Sequence, residues 1–196
     1  MKYLILGNSA AAVGCVEGIR QVDKTGGITI VSSEPHHVYS RPLISYLIRG
    51  KTDEQRMKYR GDDFYEKNGV QTFLGRTAVK IDPKEKKVFL DDGRELDYDK
   101  LLVATGSRPF VPPAEGLDSV EKRFTFMTLD SAKALMAALT GESRVLIVGA
   151  GLIGLKCAEG ISGKVASIDV VDLAGRILPS ILDETGSALV MEHIEK

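Results

Sequence analysis

Gly149-Ala150-Gly151-Leu152-Ile153-Gly154 follows the apolar run Arg144 to Val148, and Asp172 stands 18 residues beyond Gly154. This spacing suits the binding of a dinucleotide. Gly149 supplies a tight turn, Gly151 lets backbone N–H groups approach a pyrophosphate, and Gly154 allows the next helix to pack closely on the strand. The helix opened by Leu152 and Ile153 presents its positive dipole end to the phosphates. Asp172 would accept hydrogen bonds from an adenosine ribose, and its charge opposes a 2′-phosphate, so NADH is preferred to NADPH, with Arg176 close enough to moderate the preference. A degenerate copy opens the chain as Gly7-Asn8-Ser9-Ala10-Ala11-Ala12, with Ser9 at the second glycine position and Ala12 at the third. The Ser9 hydroxyl can bond a phosphate oxygen, the pattern accepts Ala12, and Glu34 closes the following strand as the ribose acid.

The elements that position these residues repeat. Leu4-Ile5-Leu6-Gly7 matches Leu146-Ile147-Val148-Gly149, and Cys15-Val16-Glu17-Gly18-Ile19 matches Cys157-Ala158-Glu159-Gly160-Ile161, at an offset of 142 residues in both cases. A cleaved leader would not recur inside the chain, so Lys2 to Leu6 is predicted to be the first strand of a folded unit. Each copy reads as strand, glycine turn, helix, strand: Lys2 to Leu6, Ala10 to Gln21 and Gly27 to Val31, then Arg144 to Val148, Leu152 to Ile161 and Val165 to Val171. Between them, about residues 70–104 read as an antiparallel meander, with turn chemistry at Asp82-Pro83-Lys84-Glu85 and Asp91-Asp92-Gly93-Arg94. Asp63 to Lys67 is predicted to be a helix stopped by Asn68-Gly69, and Thr128 to Leu139 a helix capped by Thr128 or Asp130. Pro109, Pro112 and Pro113 mark an extended linker. The predicted class is α/β, with two Rossmann-like dinucleotide-binding units in domains 1–115 and 116–196, a β-meander in the first and an incomplete second unit.

With 26 Lys+Arg against 27 Asp+Glu the chain lacks the basic surplus of a nucleic-acid binder, and no apolar run reaches the length that spans a bilayer. Two cysteines and three histidines make neither a disulfide framework nor a four-ligand zinc site with anything to spare, so a reducing cytoplasm is expected and no metal.

The first glycine turn with Glu34, the segment Tyr39-Ser40-Arg41-Pro42-Leu43-Ile44-Ser45, the run Ala104-Thr105-Gly106-Ser107-Arg108-Pro109 and the inserted second turn together resemble the pyridine nucleotide-disulfide oxidoreductase superfamily. The likeness is nearest to its branch of NADH:rubredoxin and ferredoxin reductases, nitrite-reductase-like flavoproteins, NADH oxidases and coenzyme A disulfide reductases. The resemblance implies FAD on the first unit and NAD(P)H on the second, with hydride passing to the flavin and electrons onward to a small redox protein or other acceptor. It further implies that Gly7, Ser9, Ala10 and Glu34 hold the ADP half of FAD, Val79 the adenine through its backbone, and Arg41, Pro42 and Ser45 the region between pyrophosphate and flavin. Ala104, Thr105, Gly106 and Arg108 would form the crossover near the cofactor.

Departures from the family pattern narrow these expectations. Val38 to Gly50 carries no redox cysteine, so a thiol relay is not expected, and Cys15 and Cys157 read as small apolar packing residues. Tyr46 stands where the electron-transfer branch often has a lysine. His36 and His37 either neighbour the cofactor or, as the preferred reading, form a solvated loop pair, and Glu159 either lines the nicotinamide approach or shares the helix-surface habit of Glu17. Family members continue past this length with a Gly-Asp motif and an interface domain, so a complementary chain or a C-terminal segment is expected to complete the site. The alternative is a non-catalytic nucleotide-binding subunit of a larger assembly. No residue is singled out as catalytic.

Overall fold

The computed structural model describes residues 1–195. Strand β1 (Lys2–Leu6), helix α1 (Ala10–Val22) and strand β2 (Gly27–Ser32) form the opening βαβ unit, with β1 and β2 parallel and Leu4 opposite Thr29. The chain continues through a 3-10 turn (Arg41–Leu43) and the short helices α2 (Ile44–Ile48), α3 (Glu54–Met57) and α4 (Phe64–Lys67). Strands β3 (Val70–Leu74), β4 (Ala78–Asp82), β5 (Lys87–Leu90), β6 (Glu95–Asp97) and β7 (Lys100–Val103) follow. The parallel sheet runs β3-β2-β1-β7, and β4-β5-β6 make a separate antiparallel sheet.

The meander is therefore shorter than the sequence predicts. Val70 pairs in parallel with Ile28, and Lys100 with Tyr3, so the first and last strands of the 70–104 segment belong to the main sheet. The turn signals at Asp82 and Asp91 mark only the two hairpins inside the remaining three strands. Short apolar strands look alike in sequence whether their partner is local or distant.

β1 is apolar and buried from Leu4 to Leu6 because both faces of that stretch are covered. Ile5 packs with Ala12, Val13 and Val16 of α1 and with Ile28 and Ile30, whereas Leu4 and Leu6 pack with Val31, Val88 and Leu90 on the meander side. Each of these buried Leu, Ile and Val side chains stabilises the fold by roughly 1.5–3 kcal/mol over its exposed state.

Beyond Pro113 come a 3-10 turn (Leu117–Ser119), α5 (Leu129–Ala138), β8 (Arg144–Val148), α6 (Leu152–Ile161), β9 (Ser167–Val171) and α7 (Glu184–Ile194). Thr128 caps α5 through a capping box with Ser131, and the Asp183 side chain accepts from the Gly186 N–H at the start of α7. β8 and β9 pair in parallel.

Contacts divide the chain into two compact units, Met1–Ser40 with Gln55–Arg108, and Arg41–Glu54 with Pro109 onward. Arg41–Glu54 thus packs in the second unit, although it precedes the linker. Within that unit α2 lies on α6 over Gly160, where an added Cβ would stand 3.4 Å from the Ser45 carbonyl oxygen. Arg49 bonds Glu159 at 2.6 Å, and Lys164 donates to the Ile48 carbonyl.

Candidate functional site

In the first unit β1, β2 and β7 run parallel, so the segments leaving their C-terminal ends emerge at one edge of the sheet. These segments carry Gly7 to Ser9, Ser33 to Tyr39 and Ala104 to Arg108. Gly7 has φ +118°, and a Cβ there would lie 2.0 Å from the Ala104 carbonyl oxygen. Only glycine lets the turn and the exit of β7 pass this closely. The Gly7 N–H donates to the Val31 carbonyl at 2.8 Å and the Ala104 N–H to that of Leu6 at 2.7 Å. Ser9 is the N-cap of α1 in extended conformation, Ala10 opens the helix, and Ala12 is fully buried beneath it.

Glu34 is held by its backbone and by one aromatic hydroxyl. Its N–H donates to Ser32 Oγ at 3.3 Å, its carbonyl accepts from the Gly75 N–H at 3.2 Å, and the Tyr39 hydroxyl donates to Oε2 at 2.6 Å. Asn8, inside the glycine turn, donates to the His36 carbonyl at 3.2 Å and accepts from the Tyr65 hydroxyl at 2.9 Å. The Tyr65 oxygen in turn accepts from the Val38 N–H at 3.0 Å, and burial pushes the Tyr65 hydroxyl pKa up. The segment after β2 is thereby fastened to the turn after β1.

The histidine pair is not the solvated pair expected from sequence. His37 lies 4.7 Å from the Tyr65 ring, its Nδ1 is 3.1 Å from the Val38 carbonyl oxygen and its Nε2 is buried without a hydrogen-bond partner. His36 meets Tyr39 edge to face at 6.3 Å. Each ring of the pair is packed against a tyrosine, His36 against Tyr39 and His37 against Tyr65, which residue type alone does not reveal. Sequence alone assigns no role to Asn8, Tyr39 and Tyr65; the usable signal is an aromatic hydroxyl five residues past Glu34.

The second turn repeats the first. Gly149 has φ +113°, and its N–H donates to the Val171 carbonyl at 2.7 Å, as Gly7 does to Val31. A Cβ on Gly154 would fall 2.0 Å from the Gly149 carbonyl oxygen, whereas one on Gly151 meets nothing within 4 Å. Gly154 is thus required by the packing of helix on turn, and Gly151 leaves the outer face of the turn open. Leu152 and Ile153 are exposed at the start of α6. Asp172, just past β9, accepts from the Ala174 N–H at 2.8 Å and from the Ala150 N–H at 2.7 Å. These backbone bonds, Ala174 foremost, hold its carboxyl below the usual carboxylate range.

The N-cap side chains of α5 and α7 bond the first turns of their helices, but Ser9 of α1 makes no such bond and Gly151 of α6 has no side chain to make one. Both helices that follow glycine turns therefore keep their positive ends available for an external anion. With an acid at the end of the next parallel strand in each case, the donors fit one dinucleotide per unit.

Other predicted residues lie elsewhere. Arg41 donates to the Met127 carbonyl at 3.0 Å, Pro42 sits in the 3-10 turn, and Ser45 is buried with its Oγ 3.5 Å from the Pro42 carbonyl oxygen, all in the second unit. Val79 is on β4 and exposed, and Thr105, Gly106 and Arg108 are exposed in an irregular segment. Glu159 is bonded by Lys156 at 2.7 Å and by Arg49, while Glu17 is bonded by Arg60 at 2.7 Å, so both acids serve ion pairs on their helices. Cys157 is buried and its thiol is pushed up to about 11 by that burial, which keeps it protonated at neutral pH.

The chain belongs to the pyridine nucleotide-disulphide oxidoreductase family, whose model matches residues 1–196. This is a family of flavoprotein oxidoreductases that bind FAD and NAD(P)H. The assimilatory nitrate reductase electron transfer subunit of Bacillus subtilis is 31% identical over 196 residues, covering 100% of this chain and 25% of that protein. The NADH-dependent phenylglyoxylate dehydrogenase subunit epsilon of Aromatoleum evansii is 33% identical over 190 residues, covering 96% of this chain and 45% of that one. Among solved structures, NADH:rubredoxin oxidoreductase from Clostridium acetobutylicum superposes with a TM-score of 0.83 at 25% identity, over 99% of this chain and 50% of its own. The chain thus spans between a quarter and just under half of the length of these two curated relatives. Among the described residues no helix is long and apolar enough to cross a membrane.

Proposed function

We propose that the chain is the nucleotide-binding part of an FAD-dependent NAD(P)H oxidoreductase that takes electrons from NADH and passes them to a small redox protein. The observation that carries this reading is the pair of equivalent glycine turns, each opening a helix without a side-chain cap and each followed by an acid just past the next parallel strand. FAD, when bound, supplies acceptance of a hydride from the nicotinamide and release of electrons to the acceptor. Gly7, Ser9, Ala10 and Ala12 set the backbone donors for the FAD pyrophosphate, Glu34 takes its adenosine ribose, and the Val79 backbone takes the adenine. Gly149, Gly151 and Gly154 do the same for NADH, with Asp172 on the ribose and against a 2′-phosphate.

The acceptor class is supported by relatives whose names denote an electron transfer subunit and a rubredoxin reductase. A complementary chain or C-terminal segment is part of the proposal, because Leu146, Val148 and Val171 of the β8–β9 pair are 62%, 59% and 47% exposed. The deciding experiment adds FAD to the purified chain, removes the excess and then adds NADH without oxygen, in the presence and absence of candidate partner chains. Bleaching of protein-bound yellow absorbance by NADH, with NADPH less effective, is expected. Binding of both nucleotides with no bleaching under any pairing would favour a nucleotide-sensing subunit instead.

A further inference from the structure

We infer that Tyr39 is a positioning residue that fixes the Glu34 carboxylate before a ribose arrives. The inference rests on the proposed ribose role of Glu34. A glutamate has three rotatable bonds, and freezing them on binding lowers affinity. Tyr39 removes much of that freedom in advance. Its hydroxyl donates to Glu34 Oε2 at 2.6 Å, the length of a charge-assisted O–H···O bond. A carboxylate accepts about four hydrogen bonds, so the Tyr39 bond by itself does not saturate it.

Tyr39 is itself fixed. It forms an antiparallel bridge with Lys58, the adjacent Ser40 N–H donates to the Met57 carbonyl at 2.8 Å, and its ring packs edge to face on His36. Asn8 and Tyr65 tie the same segment to the glycine turn through the His36 carbonyl and the Val38 N–H. Phosphate-side and ribose-side groups are thus held in one frame. The second unit meets the same need differently, since the shorter Asp172 is oriented by the Ala150 and Ala174 N–H groups. Glu34, one methylene longer, is oriented by a side chain.

The test compares the full 196-residue chain with its Tyr39→Phe, Glu34→Gln and doubly substituted forms, after thermal melts confirm folding. Affinities are measured for FAD, for ADP and for 2′,3′-dideoxy-ADP, which lacks the ribose hydroxyls. Tyr39→Phe is expected to weaken FAD and ADP by roughly three- to tenfold, to leave dideoxy-ADP unchanged, and to add nothing to Glu34→Gln. Wild-type affinity for FAD in Tyr39→Phe, alongside a loss in Glu34→Gln, would overturn the positioning role while leaving Glu34 its function. Tighter binding by Tyr39→Phe would overturn it too, because Tyr39 would then compete with the ribose. Equal losses for ADP and dideoxy-ADP, or additive losses in the double variant, would likewise do so. Unaltered FAD binding by Glu34→Gln would remove the underlying reading and this inference with it.

Discussion

Asp172 has two tasks in one carboxylate, since the oxygens proposed to receive a ribose also hold the N–H groups of Ala150 and Ala174. Asp172→Ala is therefore expected to weaken NADH by roughly tenfold, to narrow its advantage over NADPH, and also to loosen the turn. Parallel titrations of both nucleotides check the first two effects; an unchanged ratio would remove the ribose assignment. Cys157 gives a prediction of opposite chemistry. Its thiol pKa rises in the folded state from 9.0 to about 11 through burial, so the native protein binds more protons than the unfolded one across that window. The contribution to stability is complete below pH 9 and declines as pH rises towards 11, by on the order of 2 kcal/mol. Denaturant unfolding of wild type and Cys157→Ala at pH 7.5 and 10.5 measures it: the difference between the two proteins should shrink at the higher pH. Where the glycines and acids stand, at the turns and just past the following strands, was legible in the sequence because these types at that spacing have few alternative uses. Tyr39, Asn8 and Tyr65 were not, because their roles depend on which distant atom each hydroxyl or amide meets.

At the scale of elements, the three glycines of the second turn differ in what they do. Gly154 sits against the Gly149 carbonyl, so Gly154→Ala should force the helix off the turn and destabilise the second unit by about 1–3 kcal/mol. Gly151 faces open space, so Gly151→Ala should keep the melting temperature near wild type yet obstruct the approach of a pyrophosphate. Melting curves and NADH titrations on the two variants separate these outcomes; a folded, NADH-binding Gly154→Ala would contradict the packing argument. β1 and α1 were readable because continuous apolar and helical spacing are local signals. The pairing of β3 with β2 and of β7 with β1 was not, since parallel neighbours lie far apart in sequence and leave no turn between them. The same holds for α2, whose partners Glu159 and Lys164 follow it by 110 residues or more.

For the whole molecule, the repeat at an offset of 142 residues announced two nucleotide units, and their assignment predicts separate footprints. Hydrogen exchange with FAD should protect residues 7–12 and 34–39, and exchange with NADH residues 149–154 and 172–174. Reversed or merged footprints would reject the division of labour. What the repeat could not announce is that the chain leaves the first unit at Arg41, re-enters it at Gln55 and leaves again at Pro109. No single cut in the polypeptide therefore separates the two bodies. During vectorial synthesis this sets an order of events. Ile44 and Ile48, buried in the finished fold, emerge from the ribosome well before α6 exists to cover them. At roughly 5–20 residues per second the wait for Glu159 and Lys164 is on the order of 10 s. The first unit can close around this uncommitted strip as soon as Val103 has been made, leaving Arg41–Glu54 as an excluded loop until the second body captures it.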